Sequence, residues 1–152
     1  RSSFCIDIPD SVTYIGISAF QLSHVVNVNL SSSLTSISQT TFYYCQYMIS
    51  IEIPEGVVSI DTCIWAVLAD VKLPSTLESF GEGAFKTIII IKTIVTPDNV
   101  NFLGRSCFEL CSGMISITPP SNLNEICMQL LSSSDKIESL EIPLKVVKNL
   151  HK

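Results

Sequence analysis

The sequence repeats itself with a period of about 23 residues, and this repetition limits its fold more than any other feature. The segment IEIPEGVVSIDTCIW (51–65) returns as VKLPSTLESFGEGAF (71–85). Aligning the copies gives one anchor slot, which holds Pro9, Ser31, Pro54, Pro74, Pro97, Pro120 and Pro143. The anchors are 22, 23, 20, 23, 23 and 23 residues apart. Such a period over the whole chain predicts a single repeat array across residues 1–152, with about six and a half copies.

Four further slots of each copy hold apolar side chains. Three residues before the anchor lie Ile6, Val28, Ile51, Val71, Ile94, Ile117 and Leu140. Three after it lie Val12, Leu34, Val57, Leu77, Val100, Leu123 and Val146. Six after it lie Ile15, Ile37, Ile60, Phe80, Leu103 and Ile126. Eleven after it lie bulky residues: Phe20, Phe42, Trp65, Phe85, Phe108 and Leu131.

These slots predict a β-rich solenoid. The triplets IDI, IEI, VKL and LEI alternate with period two, which is typical of a short strand with one buried face. Proline has no N–H to pair, so it ends this strand and turns the chain. SVTYIG and TLESFG predict a second short extended piece, with Gly16, Gly81 and Gly104 supplying backbone freedom at the next corner. One copy cannot bury its apolar face alone, so the copies must stack.

The repeat unit LxxIxIPxSVTxIGxxAFxxCxxL resembles the BspA-like leucine-rich repeats of surface proteins from bacteria and parasitic protists. IDIPDSVTYIGISAF and VKLPSTLESFGEGAF match it closely, and Cys45 and Cys111 occupy its cysteine slot. The resemblance spans residues 4 to about 146. It implies a leucine-rich-repeat right-handed superhelix with short parallel strands, one per repeat, and turns or short helical segments on the other side. It also implies no catalytic activity, and a role in adhesion or protein binding at a cell surface or in secreted form.

The sequence departs from this pattern in three places. Ser31 replaces an anchor proline, and the third copy is three residues short around residues 65–71. The last copy turns basic, so residues 144–152 are either a polar C-terminal cap or simply the end of the regular array. Because Arg1 is not an initiator methionine, we expect the sequence to be part of a longer or processed protein.

Alternation predicts which strand residues face outward as a surface for a partner. The ladder between the apolar slots reads Asp7, Asn29, Glu52, Lys72, Val95, Thr118 and Glu141. The ladder two residues earlier reads Cys5, Asn27, Ser50, Asp70, Thr93, Ser116 and Ser139. The family resemblance implies that this is a concave contact face, and solenoids commonly offer partners such surfaces. The alternative is a solvated face that binds nothing, because neither ladder holds a Tyr, Trp or Arg anchor.

Two other features bear on binding. The tyrosine-rich cluster FYYCQY (42–47) is either a contact site on an exposed turn or packing between adjacent copies. Asn29-Leu30-Ser31 is a glycosylation sequon on the predicted contact face, and a glycan there would obstruct that face.

The charge balance argues against two classes of partner. The 152 residues hold 9 Lys+Arg and 14 Asp+Glu, a formal charge of −5. Nucleic acids and anionic membrane surfaces require clustered positive charge, so neither is an expected partner. The most apolar run, TIIIIKTIV (87–95), is too short for a membrane-spanning helix of about 20 residues.

The cysteines and histidines do not form a predicted active site. Cys45 and Cys111 lie three copies apart, about 14 Å at strand spacing, which is too far for a disulfide. Cys107 and Cys111 are four residues apart, the spacing of one helical turn, but a single Cys-x3-Cys is weak evidence for a metal site. We expect the six cysteines, which include Cys5, Cys63 and Cys127, to be free thiols in core slots. Alternation points Cys45 inward and His24 outward, so we predict no catalytic, cofactor or metal residues.

The sequence therefore favours a non-catalytic protein-binding module, with adhesion or recognition at a cell surface as its role. The alternative is an intracellular scaffold component, cytoplasmic or cytoskeletal, built into a larger assembly along one flank. The open ends of such an array also predict end-to-end or side-by-side self-association.

Overall fold

The computed structural model describes residues 4–61, 67–127 and 129–140. Within these ranges the chain forms eleven short strands and no helix. The strands are β1 (Phe4–Asp7), β2 (Val25–Asn29), β3 (Ser36–Ile37), β4 (Ser50–Glu52), β5 (Ser59–Ile60), β6 (Asp70–Lys72), β7 (Ser79–Phe80), β8 (Thr93–Val95), β9 (Phe102–Leu103), β10 (Ser116–Thr118) and β11 (Ser139–Leu140). The same ranges accordingly contain no helix that could cross a membrane.

The strands stack in parallel, copy upon copy, in two sets. The first set precedes the anchor slot and pairs as β1-β2, β4-β6 and β8-β10-β11. The second follows the anchor and forms one sheet in the order β3-β5-β7-β9. Partners lie in the register of the repeat, with Ile51 beside Val71 and Ile60 beside Phe80. The fold is thus a parallel β-solenoid of about six turns, as the period predicts.

We number the turns as coils. Coil 1 is residues 4–24, coil 2 is 25–47, coil 3 is 48–67, coil 4 is 68–90, coil 5 is 91–113 and coil 6 is 114–136. Strand β11 begins the next coil. Four coils contain two strands each, so the second extended piece expected from the sequence is present in coils 2 to 5.

The apolar slots form continuous columns inside the solenoid. In the slot six residues after the anchor, Ile37, Ile60 and Phe80 are 0–1% exposed. The aromatic slot stacks in the same way: the rings of Phe20 and Phe42 lie 5.5 Å apart and are tilted by 3°. Phe85 and Phe108 lie 5.7 Å apart with a tilt of 4°. The prediction that these side chains lie in register is therefore confirmed, whereas Trp65 lies outside the described residues.

In the described residues, turns and not helices close the side of the coils that carries the aromatic slot. The corner is pinned by backbone bonds to the next coil, such as Phe20 N–H to Thr41 O at 3.0 Å and Leu22 N–H to Tyr43 O at 2.9 Å. Two left-handed residues four apart flank the bulky residue of this slot in each of five coils: Ser18 and Leu22, Thr40 and Tyr44, Gly83 and Thr87, Ser106 and Leu110, and Gln129 and Ser133. Because only one of these is glycine, the bonds between coils must offset the cost of the left-handed conformation.

The predicted role of three glycines is wrong. Gly16, Gly81 and Gly104 are not in the left-handed region, which among the described glycines is occupied by Gly56 and Gly83. A Cβ on Gly81 would overlap the Asp61 carbonyl, and one on Gly104 would overlap the Gly81 carbonyl. At these two positions glycine is needed because the backbones of neighbouring coils approach too closely for a side chain.

Candidate functional site

The predicted contact face lies on the outer side of the first set of strands. Ten of its twelve residues are exposed: Asp7, Asn27, Asn29, Ser50, Glu52, Asp70, Lys72, Thr93, Thr118 and Ser139. Ser116 is half-buried, and Glu141 lies outside the described residues. Val95 stands in the same ladder with 69% of its surface exposed. Each face residue pairs in register with its counterpart in the neighbouring coil, as Glu52 does with Lys72. The residue between two face positions of a strand, such as Ile51, is buried, so alternation orients this face as expected.

Side chains on this face bind one another across neighbouring coils. Asn29 Nδ2 donates to Asp7 Oδ1, and Lys72 Nζ lies 3.0 Å from Glu52 Oε2. The hydrogen bond and the charge of Glu52 raise the pKa of the Lys72 ammonium. Both members of the ion pair are well exposed, so the pair adds little to stability. Its main effect is to neutralise part of the face.

A second set of polar links follows each anchor, where acid and serine alternate from coil to coil. Asp10 accepts a hydrogen bond from Ser32 N–H at 2.9 Å, and this bond lowers the pKa of the Asp10 carboxyl. Glu55 accepts from both the N–H and the Oγ of Ser75 at 3.0 Å. In the next coils Ser121 Oγ lies 3.3 Å from Asp98 Oδ1. These carboxylates tie coils together and are thereby held in place.

The cysteine slot is a hydrogen-bonding slot. Cys111 Sγ donates to Phe85 O at 3.1 Å, and Cys45 Sγ donates to Phe20 O at 3.0 Å. Ser134 occupies the same slot and donates to Phe108 O at 2.8 Å. The thiol therefore bonds the carbonyl of the aromatic residue in the coil before it. The sequence signal was the presence of both Cys and Ser at this slot, which indicates a donor in coils 2, 5 and 6, whereas coil 4 fills the slot with the buried apolar Ile88.

The burial of the cysteines is mixed. Cys45, Cys107 and Cys111 are buried, and desolvation raises the pKa of each thiol, for Cys111 to about 11. The expectation that every cysteine fills a core slot is wrong for Cys5, which is exposed on the strand face, and Cys127 is only half-buried. Cys63 lies outside the described residues.

His24 and the tyrosine cluster lie together at the end of coils 1 and 2. His24 is exposed and its ring stacks on Tyr47, with centroids 5.2 Å apart and a tilt of 21°. Cys45 is buried and bonds Phe20, so it does not pair with the imidazole. The sequence analysis missed the contact with Tyr47, although both residues lie seven positions before the next anchor.

The six residues Leu22, Ser23, His24, Tyr44, Gln46 and Tyr47 line a half-open pocket of about 140 Å³. Of the tyrosines in the cluster, Tyr43 and Tyr44 are half-buried and meet edge to face at 5.3 Å, whereas Tyr47 is 42% exposed. The cluster thus packs between coils and also lines a surface pocket, and its role as a contact site stays a prediction.

Metal binding and the glycosylation sequon can be assessed only within the described ranges. There, no group of three or more His, Cys, Asp or Glu side chains could hold a metal ion. In the sequon, the Asn29 amide is engaged by Asp7, and Ser31 is fully buried with its hydroxyl donating to Val12 O at 2.6 Å.

Comparison with solved structures identifies the same architecture in three bacterial proteins. A Treponema pallidum leucine-rich-repeat protein (TpLRR) superposes with a TM-score of 0.85 at 22% identity, over 89% of this chain and 67% of its own. The pneumococcal vaccine antigen PcpA gives 0.66 at 20% identity, over 94% and 49%. A leucine-rich-repeat protein from Bacteroides ovatus gives 0.57 at 19%, over 93% and 55%. The chain spans between half and two thirds of the length of these proteins.

Sequence comparison agrees with this likeness. The family described as BspA type leucine rich repeat region, in six copies, matches residues 3–111 and 65–151. No curated protein matches the sequence. Repeats of this kind are commonly protein-binding, and the leucine-rich-repeat solenoid is a non-enzymatic kind of fold. The chain belongs to the BspA-type leucine-rich-repeat family.

Proposed function

We propose that this chain is a non-catalytic protein-binding module that serves adhesion or recognition at a cell surface. The partner contacts the polar face formed by the ladders from Asp7 to Thr118 and from Asn27 to Ser139. The observation that carries the proposal is the exposure of these side chains in register along the solenoid. A long regular face of this kind offers one partner many weak contacts.

The chemistry of the described residues supports a binding role over a catalytic one. The Cys45 thiol donates to a backbone carbonyl, and His24 packs on Tyr47. Raised thiol pKa values keep the buried cysteines protonated, and a protonated thiol is a poor nucleophile.

The test is a binding screen of the purified chain against host matrix proteins and glycans, with face variants for any hit. The double variant Glu52→Ala/Lys72→Ala removes the ion pair at the centre of the face. Glu78→Ala is the matched control, because Glu78 is exposed next to β7 on the other sheet. If the double variant binds the partner as strongly as Glu78→Ala does, this face is not the contact surface. Detection of the native protein on intact cells tests the location.

An intracellular scaffold role is the second candidate. It is favoured by exposed apolar side chains on the flank of coils 3 and 4: Ile49 is 55% exposed, Ile89 53% and Ile90 40%. Exposed apolar side chains of this kind suit a permanent interface with another protein or a second copy side by side. Co-purification of the native protein with a cytoskeletal complex would support this role, and purely extracellular protein would exclude it.

A further inference from the structure

The pocket between coils 1 and 2 has the size of a side-chain site. Its volume is about 140 Å³, below the roughly 300–1,000 Å³ that is typical of small-molecule pockets. It lies where the corner of coil 1 meets the corner of coil 2 and is half-open to solvent. A site of this size accommodates one protruding group of a larger partner.

The pocket walls are aromatic and held in place without a ligand. Tyr47 stacks on His24, and the two left-handed residues Leu22 and Tyr44 fix the backbone on either side. The same left-handed position recurs in coils 4 to 6, at Thr87, Leu110 and Ser133, so the corner geometry belongs to the fold. Ser23 and Gln46 add polar atoms at the rim. Aromatic faces with a few polar groups suit either a neutral ring or a flat cation.

Charge decides between these two occupants. Between Arg1 and Lys72 the sequence contains no lysine or arginine, whereas the carboxylates in that interval are Asp7, Asp10, Glu52, Glu55, Asp61 and Asp70. Lys72 itself is paired with Glu52. Asp70 lies beside Ser50 in the sheet, and Ser50 is three residues after Tyr47, which places Asp70 roughly 11 Å from the pocket at strand spacing. That is close to the Debye length of about 10 Å at 0.1 M salt and beyond the length of about 8 Å at physiological salt, so the negative potential at the pocket is strongest at low salt.

We propose that this pocket binds the arginine side chain of a basic polypeptide partner. The guanidinium stacks on the aromatic wall, where its charge is attracted by the ring faces, and the surrounding carboxylates attract the rest of the basic segment. Its N–H groups can donate to the side-chain oxygens of Gln46 and Ser23. The inference rests on the proposed protein-binding function and adds to it the chemistry of the partner and an anchor outside the strand face.

The experiment titrates the 152-residue chain with two peptides of equal length, one with three arginines and one with citrulline at the same positions. Citrulline keeps the shape of arginine and removes its charge. We expect binding of the arginine peptide to shift the NMR signals of residues 22–24 and 44–47, with an affinity that falls as salt is raised. We expect Tyr47→Leu to weaken binding about fivefold, which is the scale of an exposed cation–π contact. Tyr47→Phe keeps the ring and should bind like the parent.

Tyr14→Leu is the matched control. Tyr14 is 62% exposed in the same acidic part of the chain but does not line the pocket, so this variant should bind normally. Equal binding of the citrulline peptide, equal binding by Tyr47→Leu, or no binding of the arginine peptide would each overturn the proposal. A screened partner that loses affinity for Glu52→Ala/Lys72→Ala but not for Tyr47→Leu would uphold the binding function and reject the pocket alone.

Discussion

The close approach of coils 4 and 5 gives a sharp prediction about one slot, seven residues after the anchor. Gly16 and Gly104 both occupy this slot. A Cβ on Gly104 would lie 2.6 Å from Glu82 N and would overlap the Gly81 carbonyl. A Cβ on Gly16 would meet only Tyr14 Cε1, at 4.0 Å. We therefore expect Gly104→Ala to destabilise the protein and Gly16→Ala to leave it intact.

The size of the destabilisation by Gly104→Ala follows from the parts of the backbone that must move. The backbone of Gly104 is held by its N–H bond to Phe80 O at 2.8 Å, so the new methyl cannot be relieved without opening the space between the coils. Overpacking costs about 1–3 kcal/mol. Loss of the hydrogen bond adds about 0.5–1.5 kcal/mol. Gly104→Ala should thus lower the free energy of unfolding by roughly 3 kcal/mol, or Tm by about 6–12 °C for a chain of this length.

Gly16→Ala should change stability by less than about 1 kcal/mol, and in the stabilising direction, because alanine restricts the unfolded chain. Urea unfolding followed by circular dichroism measures both variants. Hydrogen exchange adds a local readout, since Gly104→Ala should expose the amides at the junction of coils 4 and 5 first. A Gly104→Ala protein as stable as the parent, or equal losses for the two variants, would refute the account of coil spacing.

Four further predictions concern buried donors and thiols. Ser31→Ala should cost about 1 kcal/mol in urea unfolding, because the Val12 carbonyl loses the hydroxyl that bonds it; an unchanged midpoint would contradict this. Cys111→Ser should retain the hydrogen bond to the Phe85 carbonyl and keep the free energy of unfolding within about 1 kcal/mol of the parent, whereas Cys111→Val should lower it by more. If Cys111→Val is the more stable variant, only apolar packing matters at this position. A thiol reagent should label Cys5 in the native protein but Cys107 only on unfolding, and rapid native labelling of Cys107 would disprove its burial. Burial raises the pKa of the Cys111 thiol from 9.0 to about 11, so the folded chain holds this proton more tightly than the unfolded chain does. The contribution of this thiol to the free energy of unfolding is therefore complete below pH 9 and is lost between pH 9 and 11. Cys111→Ser should lose less stability over this pH range than the parent does.

Much of the fold could be predicted from spacing because a solenoid repeats its environment. The slot six residues after the anchor is buried at Ile37, Ile60 and Phe80, as the alignment indicates. The exposure of the strand face also follows from alternation. The glycines were different: Gly16, Gly81 and Gly104 look equivalent in the alignment, yet a side chain would overlap backbone only at Gly81 and Gly104. Gly81 and Gly104 lie against the backbone of the coil before them, whereas Gly16 lies in the first described coil and has no coil before it in this structure.

The candidate sites, like the fold, could be predicted from the sequence only in part. The ladder from Asp7 to Thr118 could be read from the sequence, and shared slots place Asn29 beside Asp7 and Tyr47 beside His24. The hydrogen bond of the first pair and the ring stacking of the second could not be read in this way. Those contacts depend on where side chains point at the edges and corners of adjacent coils. Residue spacing carries no information about that direction.

The sequence by itself determined the period, the stacking of the coils and the membership of each core column. In-register parallel stacking brings residues one period apart into contact, so a one-dimensional repeat becomes a three-dimensional column. Only the tertiary structure decided which glycines are indispensable, which carbonyls the buried thiols bond and that an aromatic pocket opens between coils 1 and 2. These features depend on how closely particular coils approach and turn at their corners, which is set by packing across the whole stack.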